Sequence, residues 1–282
     1  MNWLFVVLQY LIPQHLLSRL AGKLADSEVP WIKNPFINWF RKRYGVDMSE
    51  ALDAEPEHYP SFNAFFTRAL RPGLRPIDTA PNSVASPADG VISQLGTIEG
   101  DRIFQAKGQT YSALELLGGD RELAALFADG EFATIYLSPK DYHRVHMPVD
   151  GKLLRTIYVP GDLFSVNQTT ATNVPRLFAR NERLVCLFET PFGPMAQVLV
   201  GAMIVAGIET VWSGQEAPPL RRISSTHFDR TPTAIALAKG AEMGRFKLGS
   251  TVILLFPKGR VHWRDDLAAD VPLRMGERMA QR

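Results

Sequence analysis

Five apolar residues in a row, Val252-Ile253-Leu254-Leu255-Phe256, follow directly on Lys247-Leu248-Gly249-Ser250-Thr251. An unbroken apolar run of that length predicts a strand buried inside a β-rich segment. The Gly-Ser pair at its mouth has a second property. Gly249 lacks a Cβ, so it can take up conformations closed to other residues and leave its carbonyl open to attack. Ser250 supplies a hydroxyl. Attack on the preceding carbonyl would turn the peptide into an ester. Elimination would then leave dehydroalanine at position 250, which hydrolyses to a pyruvoyl group. A plain Gly-Ser turn into a buried strand explains the same residues without any chemistry, and Leu-Gly-Ser-Thr alone favours that explanation.

A serine hydroxyl is a poor nucleophile until a base takes its proton and a third group orients that base. Asp141-Tyr142-His143-Arg144-Val145-His146-Met147-Pro148 offers a base, and Ser86-Pro87-Ala88-Asp89-Gly90 offers an acid. Further blocks are Phe65-Phe66-Thr67-Arg68 with Arg71-Pro72, Gly207-Ile208-Glu209-Thr210-Val211, and Lys239-Gly240-Ala241-Glu242-Met243-Gly244. Taken in chain order and at this spacing, from about Phe65 to Pro257, they resemble the phosphatidylserine decarboxylase proenzymes.

That resemblance implies an autoprocessing set in which Ser250 attacks, His146 accepts its proton and Asp89 holds the imidazole. It implies cleavage between Gly249 and Ser250 into chains 1–249 and 250–282 that stay associated. Ser250 would become a covalent pyruvoyl cofactor, condense with the substrate amine as a Schiff base and release carbon dioxide. His143 would be the proton donor that completes turnover. A homodimer of processed heterodimers is also implied. From the residues alone several readings stay open. Asp89 suits a tight Ala-Asp-Gly turn, and His143 with His146 could be a metal pair, although no further cysteine or carboxylate cluster supports one and no metal is expected. A serine hydrolase acting on lipid esters would use the same set, but lacks a Gly-x-Ser-x-Gly elbow here. A noncatalytic membrane-binding β module would leave the histidines purely structural, and a decarboxylase of a different serine phospholipid would share all of this chemistry.

The 282 residues carry a formal net charge of +2, with one cysteine, Cys186. No basic tract marks a nucleic-acid partner, and no intrachain disulfide can form. Met1 to Ile12 is strongly apolar, but shorter than the roughly 20 residues a spanning helix needs. A second segment sets Leu16, Leu17, Leu20, Ala21 and Leu24 on one helical face, with His15, Arg19 and Lys23 elsewhere. A third is expected to open with Asn34 as cap and Pro35 at its first position, and to end near Gly45 after Arg41-Lys42-Arg43. Apolar faces with tryptophan and basic neighbours suit an interfacial helix on an anionic bilayer. The expected location is peripheral, on the cytoplasmic face of a bacterial inner membrane.

The expected architecture is α+β. A helical membrane-associating platform, residues 1–60, precedes a mainly β, barrel- or sandwich-like catalytic domain, residues 61–282. Ser61 caps a short helix holding Phe62, Phe65 and Phe66. Strands are predicted at Val91-Ile92, Ile103-Phe104, Ala133 to Leu137, Leu153 to Val159, Leu184 to Phe188, Ala196 to Val200, Met203 to Ile208 and Val252 to Phe256. Two short helices fall near Ser112 to Leu117 and Glu122 to Ala128. Trp212 to Thr231, with Arg221 and Arg222, reads as a long surface connection.

Overall fold

A computed structural model describes residues 2–203, 207–216, 222–230, 233–247 and 250–282. Three helices open the chain: α1 (Asn2–Leu11), α2 (Gln14–Ala25) and α3 (Pro30–Tyr44). None of the described helices is long and apolar enough to cross a membrane. α3 begins earlier than expected. Pro30 takes the first helical position, Val29 is the cap residue, and Pro35 lies inside the helix. Tertiary contacts outweigh the local cap signal: Lys33 Nζ donates to the Glu57 and Tyr59 carbonyls, both at 2.7 Å. Ile37 and Phe40 pack with Phe62, Phe65 and Phe66. The helix ends as expected at Gly45, whose φ of 67° suits a residue without a side chain.

The leucine face of α2 is real but points outward. Its buried residues are Gln14, Ser18, Gly22 and Ala25, while Leu20 is 57% exposed. Polar contacts dock this inner side. Gln14 Oε1 accepts from the Leu163 N–H at 2.6 Å, and Gln9 Oε1 of α1 accepts from the Ser165 N–H at 2.8 Å.

The main sheet has the spatial order β12 (Ser224–His227), β7 (Gly151–Val159), β8 (Arg183–Thr190), β9 (Gly193–Val200), β15 (Ser250–Phe256), β5 (Glu131–Leu137), β2 (Gly90–Thr97) and β17 (Pro272–Leu273). β13 (Ala236–Leu237) also pairs with β7, and every ladder is antiparallel. The five-residue apolar run therefore sits mid-sheet, between β9 and β5, and Val252 to Phe256 are fully buried. A four-stranded sheet follows the order β11 (Gly214–Gln215), β10 (Gly207–Thr210), β14 (Glu242–Lys247), β6 (Arg144–His146). A third sheet joins β1 (Ser83–Ala85), β18 (Arg278–Gln281) and β16 (His262–Trp263), and β3 (Arg102–Ala106) pairs with β4 (Gln109–Ser112). The expected barrel does not form among the described residues. The main sheet ends at β12 and at the two-residue β17, whose leading Pro272 has no N–H to extend a ladder.

Strand alternation explains the layering. Val252 and Leu254 join a core with Val145, Ile208, Met243 and Phe246 of the four-stranded sheet. Ile253 and Leu255 face a second core with Phe127 and Phe178. That side is covered by α5 (Ala113–Leu116), α6 (Arg121–Ala125), α7 (Gln168–Asn173) and α8 (Leu177–Arg180). α4 (Phe62–Phe66), capped by Ser61 as expected, contributes to a third core that draws on residues either side of position 60. The stretch from Trp212 contains strand: β12 pairs with β7 as an exposed sheet edge. Arg222 is exposed, and Arg221 lies outside the described residues, as do residues 204–206 of the strand expected there.

Candidate active site

His146 closes the short strand β6. Its Nδ1 lies 2.8 Å from the Gly240 carbonyl, which can only accept, so Nδ1 carries the proton and Nε2 presents a lone pair. The Tyr142 hydroxyl donates to that lone pair at 3.0 Å. Burial pushes the His146 imidazole below the ordinary histidine range, against the opposing pull of the Gly240 hydrogen bond and the Glu242 charge. At neutral pH it is an uncharged base.

Gly240 is required where it stands. Its φ is 81°, and a Cβ there would lie 2.8 Å from the Ile77 side chain. The preceding Lys239 anchors the turn, its Nζ donating to the Ser83 carbonyl at 3.0 Å. The Gly240 turn is thus the support of the His146 imidazole.

His143 is fully buried, its ring packed 3.9 Å (centroid to centroid) from Phe66. Its Nδ1 donates to the Asp141 carbonyl at 2.9 Å, by the same logic, and its Nε2 has no partner. Burial lowers its pKa to about 3, helped by the charge of Arg68. At rest His143 is a neutral group with a bare lone pair, so it donates a proton only after accepting one.

Asp89 sits where the turn from Pro87 enters β2, but it does not hold His146. Its oxygens accept from Arg75 Nε at 2.9 and 3.0 Å, from Arg75 Nη2 at 2.6 Å, and from the Met275 N–H at 2.8 Å. Arg75 also donates to Glu50 at 2.7 Å, and these carboxylates hold its pKa above the ordinary arginine value. Asp89 favours the charged form of His146 only through space. Gly240 performs the orienting contact expected of it. Arg75 was missed because it lies in the proline-rich connection between Arg71 and Pro87, where no spacing distinguishes it. Tyr142 and Gly240 lay inside the quoted blocks without an assigned task.

Gly249 lies outside the described residues. The backbone of Ser250 opens β15 opposite Leu137 of β5. The chain continues from Leu137 through Ser138, whose N–H donates to Asp141 Oδ2 at 2.7 Å, into the loop bearing Tyr142 and His143. The pairing thus brings the Ser250 backbone to the strand end from which the loop leads into both histidines. Beside it opens a cavity of about 500 Å³, lined by Arg68, Arg75, Asp89, Ser138, Asp141 and Tyr142 among others.

The family model for phosphatidylserine decarboxylase matches residues 62–281. The phosphatidylserine decarboxylase proenzyme of Pseudomonas entomophila (strain L48) is 63% identical over 278 residues, 98% of this chain and 97% of the relative. The chain belongs to the phosphatidylserine decarboxylase family. A second relative of the same description, from Stutzerimonas stutzeri (strain A1501), is 61% identical over 279 residues, 99% of this chain and 94% of its own length. A further model, described as PSD, matches residues 4–45, the three opening helices. The resemblance drawn from six sequence blocks therefore extends over nearly the whole family sequence.

Proposed function

We infer that this chain is a proenzyme that cleaves itself between Gly249 and Ser250 and then decarboxylates phosphatidylserine to phosphatidylethanolamine. The observation that carries this reading is the ladder that sets Ser250 opposite Leu137, at the head of the loop that bears His143 and leads through β6 to His146, two histidines that both present unprotonated Nε2 atoms. His146 Nε2 takes the Ser250 hydroxyl proton, exchanging the Tyr142 hydroxyl for it. The ring is kept in place by Gly240, and Asp89 stabilises the imidazolium through space. The pyruvoyl group left at position 250 supplies an electron sink for the charge released as carbon dioxide departs. The unpartnered, buried His143 Nε2 fits a site beside such a group. It accepts a proton from the substrate ammonium and returns one to the carbon that loses carbon dioxide. A positioned acid of this kind typically contributes 10²–10⁴-fold.

Intact-mass measurement tests the reading. Two fragments, 1–249 and 250–282, with phosphatidylethanolamine formed from phosphatidylserine, are expected. Ser250→Ala should stay whole and inactive. Activity in that uncleaved variant would instead favour a hydrolase or another chemistry. The fragments should elute together on a native sizing column, because residues 250–282 contribute β15 and β17 to the main sheet and β16 and β18 to the sheet they form with β1 of the larger fragment. The same column reads the pairing of two processed units that the family resemblance supports.

The opening helices, residues 1–60, form the membrane-associating region in this proposal, with residues 61–282 as the catalytic domain. Leu11 (75% exposed), Leu16, Leu20, Trp31 (77%) and Trp39 turn outward, and Arg41, Lys42 and Arg43 end α3. Single exposed apolar residues are ordinary, but exposed leucine and tryptophan recurring on three successive helices suit an interface. Docking is peripheral, on an anionic surface at the cytoplasmic face of the bacterial inner membrane. Fractionation of cells would place the protein with washed inner membranes, and recovery in the periplasm would refute this.

A further inference from the structure

Arg68 follows the short aromatic helix α4 and is only 4% exposed. Its Nη2 donates to the Lys140 carbonyl at 3.1 Å, and its guanidinium lies 5.6 Å from the Phe65 ring. Its Nε and Nη1 are shielded from solvent and have no partner. A buried charged donor without an acceptor is strongly unfavourable, so a group with this much unmet capacity points to a ligand. Arg68 lines the cavity of about 500 Å³ beside the loop that follows β5.

Arg75 serves Asp89 and Glu50, Arg274 lies 3.7 Å from Glu50, and Asp141, Asp47 and Glu277 accept from the Ser138, Ser49 and Arg274 N–H groups; the other lining cation, Lys140, is exposed to water. Among the described residues, no carboxylate forms an ion pair with Arg68. The cavity therefore holds one buried cation in search of an oxyanion.

We propose that Arg68 binds the phosphodiester oxyanion of the lipid head group and thereby selects phosphorylated serine lipids over other serine derivatives. This rests on the decarboxylase reading above. The substrate offers two anions, but only one suits a fixed cation. A guanidinium tied to the carboxylate would stabilise the ground state of the group that must leave as neutral carbon dioxide, and would slow the reaction. The phosphodiester keeps its charge throughout, so binding it fixes position without opposing the chemistry. Arg68 is thus a positioning and specificity residue.

The test compares kcat/KM for phosphatidylserine and for O-dodecyl-L-serine, which keeps the amine and carboxylate but has no phosphate. Both are measured in mixed micelles and normalised to the cleaved fraction from intact mass. Arg68→Gln should cleave itself normally and lose about 10- to 150-fold with phosphatidylserine, the range of a lost hydrogen bond to a charged group, chiefly through KM. With dodecylserine the loss should be clearly smaller, confined to the effect of the Arg68 charge on His143, and Arg68→Lys should recover part of the loss with phosphatidylserine. Equal losses on both substrates, or no loss on phosphatidylserine, overturn the proposal. A wild-type protein inactive on phosphatidylserine overturns the decarboxylase reading itself. Should Arg68→Gln fail to fold, the wild type still decides. Glycerophosphoglycerol, a soluble phosphodiester, should compete with phosphatidylserine. Inhibition by inorganic phosphate alone, or by neither, refutes a head-group site.

Discussion

Replacing Leu16 and Leu20 by Gln changes the outward face of α2 and nothing beneath it. Leu16 is 50% and Leu20 57% exposed, so about half of each side chain remains to be removed from water. Complete burial of a leucine is worth about 1.5–3 kcal/mol, so insertion of both into a bilayer interface contributes about 1.6–3.2 kcal/mol. Partitioning onto vesicles containing anionic lipid should fall roughly 15- to 200-fold in a sedimentation assay. Glutamine is close to leucine in helix propensity, so the thermal midpoint should stay within experimental error. Added salt should weaken binding of wild type and variant alike, since the basic residues ending α3 are untouched. Unchanged vesicle binding would refute the interfacial role. A lowered midpoint accompanied by loss of a dimer peak would show that protein, not lipid, covers this face.

Gly240→Ala should slow self-cleavage at least tenfold in a time course followed by gel, because the left-handed backbone and the 2.8 Å approach to Ile77 displace the carbonyl that holds His146. Wild-type cleavage rates in that variant would remove Gly240 from the site. His143 has an ordinary pKa of 6.5 unfolded and about 3 folded. The unfolded chain therefore binds the extra proton first, and this group's stabilising contribution, complete above pH 6.5, is lost as pH falls towards 3. Urea midpoints should give a wild-type advantage over His143→Gln that shrinks by about 1 kcal/mol between pH 7 and 5.5. A pH-independent difference would mean that His143 is not buried as a neutral group.

The apolar run 252–256 predicts its own place in the fold because a strand buried on both faces leaves no polar alternation to misread. The Ser61 cap and the Gly45 stop were legible for the same local reason: each is decided within one turn of helix. The start of α3 was not, because Lys33 and Ile37 owe their helical state to residues beyond position 56. The amphipathic pattern of α2 was legible, but a pattern gives the existence of an apolar face and not its direction. Gln9 and Gln14 decide direction by hydrogen-bonding a loop some 150 residues away. In the site, residue types were readable and partners were not. Tyr142 reaches His146 from within its own block, but the groups that fix Asp89 and the His146 tautomer come from Arg75, Met275 and Gly240, which no spacing rule connects to them.

Asp89 has a second task that follows from those partners. Its two oxygens join Arg75, from the connection after α4, to the Met275 backbone in the segment 250–282, and Arg75 extends the link to Glu50. Cleavage after Gly249 would cut the covalent path between Asp89 and Met275 but not this one. β15 would remain hydrogen-bonded on both sides, to β9 and β5, and β17 to β2. Asp89 is thus placed to act on His146 through space and to tie the new fragment to the cavity wall. The two tasks separate by chemistry. The electrostatic one needs a carboxylate, whereas an amide oxygen can still accept from Met275 N–H. Asparagine at position 89 therefore preserves more of the link between fragments than of the stabilisation of the imidazolium, and alanine removes both.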